Sequence, residues 1–245
     1  LSGLPAEVPV TPGSTSLGDY ITGLYGAIGV LMALRHRDVS GQGQVIDLGL
    51  YESVFRMLDE IAPRFSRTGH IREAEGTGTI NACPHGHFPT KDKKFIAIAC
   101  TTDKMFKRLT KAMERPDLDN QFFEQKKRLD NATFIIQEVS NWTSSMVRND
   151  LLECCIENDV PSGPINTIED IFSDPQFRAR GNLTSFLHDK LGEIVVPSAF
   201  PSLSLSPPEI KSLGPELGNY NHQIFHEELG LSIAEIEGLK RDGII

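Results

Sequence analysis

The sequence lacks several features that would assign a function class directly. Its 245 residues include only four cysteines, and none of them forms the C-x-x-C pair of common zinc and redox sites. Lys and Arg (24) are outnumbered by Asp and Glu (33), which gives a formal net charge of -9. Nucleic acid and anionic membranes attract clustered basic residues. We therefore expect no nucleic-acid partner, no membrane partner and no metal.

Long hydrophobic runs and targeting patterns are also scarce. We find no apolar run that approaches the ~18–20 residues of a membrane-spanning helix, and no signal-peptide pattern. With so few cysteines, this predicts an intracellular protein, cytoplasmic or mitochondrial, in a compartment that keeps thiols reduced. Phosphate-loop, zinc-protease and serine-hydrolase motifs are missing as well.

Asp19 is the candidate catalytic residue that the local pattern offers. It follows Gly18 and precedes apolar residues at helical spacing, which predict a helix over 21–37. A helix N-terminus has unpaired N–H groups and a partial positive charge, which favour an ionised carboxylate by ~0.3–1 kcal/mol. Such a carboxylate can attack an activated acyl group. Asp is also among the commonest N-cap residues, and the local pattern alone favours capping.

Short helical and strand patterns follow along the rest of the chain. Strands are predicted at 45–50, 95–99, 183–187 and 193–196. Helices are predicted at 51–65, 102–113, 117–160, 167–172, 174–180, 221–229 and 232–241. Glycine and proline predict irregular structure at 72–89, 161–164 and 197–218.

Five segments in order carry a family resemblance. The most specific is Gly18-Asp19-x-x-Thr22-Gly23-Leu24-Tyr25 with its continuation Gly41-Gln42-Gly43-Gln44-Val45-x-Asp47. The others are Asn81-x-x-Pro84-x-Gly86-x-Phe88, Val160-Pro161-x-Gly163-Pro164-Ile165-Asn166 with the following Asp174-Pro175-Gln176, Gly214-Pro215-x-Leu217-Gly218 and Leu229-Gly230-Leu231-Ser232. Together they resemble the class III CoA-transferases, the CaiB/BaiF family, which includes formyl-CoA transferase, carnitine CoA-transferase and the α-methylacyl-CoA racemases.

The resemblance implies an α/β fold with two parts. A Rossmann-like large domain built on a parallel sheet would be present in part, together with a smaller α+β domain. Residues 1–65 would belong to the large domain and carry the catalytic Asp, 66–195 would form the small domain, and 196–245 would return to the large domain.

The same resemblance implies site residues and a reaction. Asp19 would be the nucleophile that forms a covalent aspartyl-CoA intermediate while CoA moves from a donor acyl-CoA to an acceptor carboxylic acid. Residues 75–79 resemble the glycine-rich loop that closes over the active carboxylate. The implied substrate- and CoA-binding residues are Gly18, Gly76, Thr77, Gly78, Asn81 and His85. No tightly bound cofactor is expected, since the coenzyme A thioester is itself the substrate.

The resemblance also implies partners. The family's usual chain is longer and holds most CoA contacts in an amino-terminal half, so we expect an interlocked homodimer or a complementary N-terminal half. Beyond the acyl-CoA and a small carboxylic acid, no further partner is implied.

Two alternatives remain at this point. An α-methylacyl-CoA racemase-like epimerase would share Asp19, but it would need an upstream His and a Glu where this chain has Thr101-Thr102. A non-catalytic, truncated or dimerisation piece would keep the Gly-Asp pair without using it.

Overall fold

The computed structural model describes residues 3, 10, 15–74, 76–188 and 190–245. Three helices open the described chain: α1 (Leu17–Ser40), α2 (Leu50–Arg56) and α3 (Ile61–Thr68). The helix predicted at 21–37 is confirmed and is longer at both ends. It ends at Gly41, whose left-handed conformation (φ 74°) lets its N–H donate to Arg37 O at 2.8 Å.

Two predictions in this region are wrong. Residues 45–50 do not form a strand, because a strand needs a hydrogen-bonded neighbour and no described strand pairs with them. The helix predicted at 51–65 is divided between α2 and α3. The break includes Asp59, whose positive φ (54°) is incompatible with a continuous right-handed helix.

A three-stranded antiparallel sheet forms the centre of the next segment. Its strands are β1 (His85–Pro89), β2 (Phe95–Ala99) and β3 (Ser162–Pro164), in the spatial order β1-β2-β3. The predicted strand at 95–99 is confirmed. We predicted irregular structure for β1 and β3 because both contain Gly and Pro, but each lies at an edge of the sheet, where Pro is tolerated.

Five helices pack around this sheet: α4 (Asp103–Ala112), α5 (Pro116–Phe122), α6 (Gln125–Asp130), α7 (Ala132–Ser144) and α8 (Arg148–Glu157). The helix predicted at 102–113 is confirmed as α4. The helical region predicted at 117–160 is also confirmed, but it is divided into the four helices α5 to α8. Their apolar faces and the inward side of the sheet form one core, with members such as Phe88, Ile96, Phe106, Leu109, Ile135 and Leu151.

The remaining elements are two short helices, a hairpin and two terminal helices. They are α9 (Ile168–Ser173), α10 (Pro175–Ala179), β4 (Leu183–His188), β5 (Gly192–Pro197), a π-helical segment (His222–Glu228) and α11 (Ile233–Arg241). These elements match the predictions for 167–241, and β4 and β5 form an antiparallel pair. Thr167 and Ser232 cap α9 and α11 by accepting from the backbone N–H three residues ahead.

The chain divides into two compact units, Leu1–Ile165 and Asn166–Ile245. The predicted mixed α/β class is confirmed. Every strand pair among the described residues is antiparallel, so the parallel sheet of the expected large domain is not represented in that part. The division at residues 65 and 195 stays a prediction.

Helix α1 has no buried residue although it is rich in apolar side chains. Leu24, Leu31 and Met32 are each more than 60% exposed. By length and composition α1 could cross a membrane, which corrects our expectation that no run is long enough. Length and composition are weak evidence for a membrane span, and the absence of a membrane partner stays a prediction.

A buried guanidinium connects the helices to the sheet. Arg128 is 0% exposed, and its Nε donates to Cys83 O at 2.7 Å. It also donates to the carbonyls of Phe122 and Phe123 and forms a 2.8 Å ion pair with Asp103. A single residue thereby satisfies carbonyl groups that the surrounding core keeps from water.

Replacing Arg128 by Ala should destabilise this unit by about 3–5 kcal/mol, because it leaves buried carbonyl acceptors unpaired. Urea denaturation would measure the loss. Lys127→Ala is the matched control, since the described partner of the Lys127 side chain is Glu124 on the surface. This variant should change stability by less than ~0.5 kcal/mol. Equal midpoints for the two variants would contradict this role of Arg128.

Candidate active site

Asp19 lies in the first turn of α1 and its side chain is exposed. The helix begins after Ser16, so Asp19 is the third helical residue and not the N-cap. The capping interpretation of Asp19 is therefore wrong. Within the described part of the chain, its carboxylate makes no hydrogen bond or ion pair, which leaves both oxygens available to a substrate.

The N-terminus of α1 is open. Ser16 makes no side-chain capping bond, and no described residue accepts from the N–H of Gly18 or Asp19. These groups carry the positive end of the helix dipole. They are donors of the kind that stabilise a developing oxyanion.

Helix α2 supports this turn from one side. Thr22 Oγ1 donates to Gly18 O at 2.7 Å and contacts Ser53 Oγ of α2. Gly18 faces α2, and a Cβ there would lie 3.4 Å from Val54 Cγ2, an ordinary van der Waals distance. We did not single out Ser53 from the sequence. A lone serine in a helix gives no local signal of such a contact.

The predicted glycine-rich loop lies against β1. Thr77 Oγ1 accepts from the N–H of His87 at 3.0 Å. A Cβ on Gly86 would approach the same oxygen to 3.2 Å, so glycine there permits the contact. Gly76 and Gly78 are exposed, while Glu75 lies outside the described residues. The Thr77 side chain thus holds this loop against β1.

Two other predicted binding residues, Asn81 and His85, follow this loop in the chain. Asn81 is exposed, and its carbonyl accepts from Gln125 Nε2 at 2.6 Å. His85 is the first residue of β1, and its Nδ1 is buried without a hydrogen-bond partner in the described structure. A buried ring nitrogen without a partner is costly, so this position needs a hydrogen bond that the described residues do not supply.

The clefts beside Asp19 and beside the loop share a wall. Gly18 lines an apolar cleft of about 700 Å³ that also includes Leu58. Leu58 also lines a cavity of about 280 Å³ with Arg72, Gly76 and Gly78. Gly18 and the loop glycines therefore lie on neighbouring clefts, and no described cavity contains all the predicted site residues together.

Arginines near the loop could recognise a second carboxylate, but Glu60 already engages them. Arg72 and Arg64 lie 3.6 and 4.0 Å from Glu60 Oε1. Its own backbone amide, the Asn81 side chain and the Arg72 charge hold the pKa of Glu60 below its usual range. Glu60 thus stays ionised and partly neutralises the arginines.

The cysteines do not offer a competing nucleophile. Burial raises the pKa of Cys83 to about 11 and that of Cys100 to about 12. Burial also raises the pKa of Cys154 and Cys155. Among the described residues, no group of three or more His, Cys, Asp or Glu side chains could hold a metal ion.

A family model decides the class of this protein. The model for CoA-transferase family III matches residues 1–221. The chain belongs to CoA-transferase family III. The resemblance drawn from the sequence blocks is thereby confirmed.

Curated relatives in the family are CoA-transferases. The chain is 49% identical over 247 residues to the succinyl-CoA–L-malate CoA-transferase alpha subunit of Chloroflexus aurantiacus, covering 100% of this chain and 58% of the relative. It is 46% identical to the beta subunit, over 100% of this chain and 62% of that relative. The chain thus spans little more than half the length of these relatives.

A solved structure shows the same fold. A CAIB/BAIF family protein from Brucella suis superposes with a TM-score of 0.75 at 29% identity. The superposition covers 93% of this chain and 59% of that protein. The fold therefore agrees with the family membership that the family model shows.

The thiols should react slowly in the folded family member. At pH 8 a thiol of pKa about 11 is only ~0.1% thiolate, so iodoacetamide should leave Cys83 and Cys100 unmodified while the partly buried Cys154 reacts first. Peptide mass spectrometry before and after unfolding in urea would measure this order.

A Cys154→Ser variant is the control for the first-reacting site. If alkylation of Cys83 or Cys100 in the folded protein proceeded as fast as in urea, the burial described here would be contradicted.

Proposed function

We propose that the chain supplies the nucleophile of a CoA-transferase that moves CoA from succinyl-CoA to a small carboxylic acid such as L-malate. The observation that carries this is Asp19, exposed and unpaired at an uncapped helix N-terminus in a chain of CoA-transferase family III. The relatives named for succinyl-CoA and L-malate support the choice of donor and acceptor.

The reaction proceeds by covalent exchange. An Asp19 carboxylate oxygen attacks the acyl carbonyl, the C–S bond breaks, and CoA leaves as thiolate with the electron pair. The thiolate attacks the Asp19 carbonyl of the mixed anhydride, which forms the aspartyl-CoA thioester and releases the donor acid. The acceptor carboxylate repeats both steps in reverse, so no proton is consumed.

The surroundings of Asp19 suit these steps. Each tetrahedral intermediate carries an oxyanion, and the unpaired N–H groups of Gly18 and Asp19 are preorganised donors for it. Gly76 and Gly78 line the neighbouring cavity, where we place contacts with the substrate and CoA. We assign Thr77, Asn81 and His85 to the same contacts.

The complete site requires more polypeptide than this chain. We propose that the apolar face of α1 is covered by another part of the same assembly, either a second subunit or the portion of the family's length that this chain does not span. Support comes from the exposure of Leu24, Leu31 and Met32 and from relatives that occur as alpha and beta subunits.

The racemase-like alternative finds less support. At the position where that activity would need a carboxylate, Thr102 caps α4 by accepting from the N–H of Met105. The next residue, Asp103, is held by Arg128 at 2.8 Å. The Asp19→Ala variant below distinguishes the transferase from the non-catalytic alternative.

Asp19→Ala should lower turnover of succinyl-CoA with L-malate by ~1,000-fold or more, because it removes the nucleophile. Asp38→Ala is the matched control, since Asp38 lies on the same helix and, among the described residues, pairs only with Arg37 at the surface. It should keep turnover within about twofold. Chromatography of the CoA esters in the complete enzyme would measure both. Wild-type turnover in the Asp19→Ala enzyme would contradict the proposal.

Leu31→Glu should weaken the assembly, because it places a charge on a face that we expect to be covered. Light scattering and the thermal midpoint would report either a smaller particle or a lower midpoint. Leu205→Glu is the control: Leu205 is 97% exposed in a segment without regular structure. If Leu31→Glu matched both the control and the wild type, the face would be free and the assembly proposal wrong.

A further inference from the structure

A pair of hydroxyls joins the beginnings of α1 and α2. Thr22 Oγ1 lies 2.7 Å from Gly18 O and in hydrogen-bond contact with Ser53 Oγ. Ser53 Oγ lies 2.9 Å from Leu50 O. Both helices fall wholly within the described residues, and Ser53, at 3% exposed, is the single buried residue of the two. A buried polar group at this junction is costly unless it is paired.

The number of hydroxyl protons limits how these groups can pair. Thr22 Oγ1 also lies 3.3 Å from Leu50 O. Each hydroxyl has one proton, so these four contacts cannot all be donated at once. In one arrangement Ser53 donates to Thr22, and Thr22 donates to Gly18 O. In a second, Thr22 donates to Ser53, and Ser53 donates to Leu50 O. The 2.7 Å contact between Thr22 and Gly18 favours the first.

The Gly18 carbonyl belongs to the peptide group that ends at the nitrogen of Asp19. Because this group is planar, fixing the carbonyl oxygen fixes the direction of the Asp19 N–Cα bond. The Asp19 side chain has no described partner of its own. Its orientation therefore depends on the backbone turn that Thr22 and Ser53 hold.

We propose that Ser53 is a positioning residue for Asp19 and acts through Thr22 and the Gly18 carbonyl. This rests on the proposed function, in which Asp19 is the nucleophile. Gly18 and Val54 also line the same apolar cleft, so α2 borders this turn at a second point. Misplacement of a reacting group by about 1 Å can cost ~100-fold in rate.

Kinetics of three variants in the complete enzyme test the proposal. Ser53→Ala and Thr22→Val should each lower kcat by ~10- to 100-fold with KM for succinyl-CoA within about twofold, the signature of lost transition-state geometry. Thr22→Ser, which keeps the hydroxyl, should retain kcat. The double variant Ser53→Ala/Thr22→Val should lose no more than the worse single variant, because both break one chain.

Thr143→Val separates positioning from a general loss of stability. Thr143 is also fully buried, and its hydroxyl donates to Ser140 O within α7, outside the candidate site. It should lower the thermal midpoint about as much as Ser53→Ala while kcat stays unchanged. A Ser53→Ala enzyme with wild-type kcat, or a Thr143→Val enzyme with the same kcat loss, would overturn the proposal.

Asp19→Ala distinguishes this failure from failure of the proposed function. If Asp19→Ala abolishes turnover while Ser53→Ala does not affect it, the positioning role alone is wrong. If Asp19→Ala remains active, the nucleophile assignment is wrong and the positioning proposal falls with it.

Discussion

The buried guanidinium of Arg128 is the interaction on which the sheet-containing part of the structure depends. It binds the carbonyl before Pro84, the end of α5 and the start of α4, so elements distant in sequence share one donor group. The chain immediately before Cys83 carries Gly76, Thr77, Gly78 and Asn81. The position of the candidate loop is therefore linked to a fully paired charge in the core.

Helix α1 contrasts with this core because none of its residues is buried. The core around Arg128 is closed, whereas α1 leaves its apolar face open and contacts α2 through a small hydroxyl junction. The catalytic candidate thus lies on a helix whose apolar side chains stay exposed within the part of the chain that the structure describes. The apolar composition of α1 is also what gives it the character of a membrane-crossing helix. Our proposal of a covering polypeptide would account for that composition without a membrane.

The sequence predicts different parts of this structure unequally. The helix at α1, the strand at β2 and the β4–β5 hairpin have strong local periodicity or turn residues, and they are confirmed. Strand β3 could not be predicted, because Ser162–Pro164 is defined only by pairing with β2. The strand predicted at 45–50 shows the reverse: without a paired neighbour residues 45–49 stay irregular, and Leu50 begins α2. In the site, Gly-Asp was visible as a pattern, but Ser53 is revealed only by tertiary contact.

The most direct test of the central claim is borohydride trapping in the complete enzyme during turnover of succinyl-CoA, followed by mass spectrometry of the peptide that contains residue 19. Reduction of an aspartyl thioester or anhydride converts the carboxyl group to an alcohol. The account predicts a mass loss localised to Asp19. An unmodified Asp19 in an enzyme that is turning over, or a reduced residue elsewhere, would contradict it.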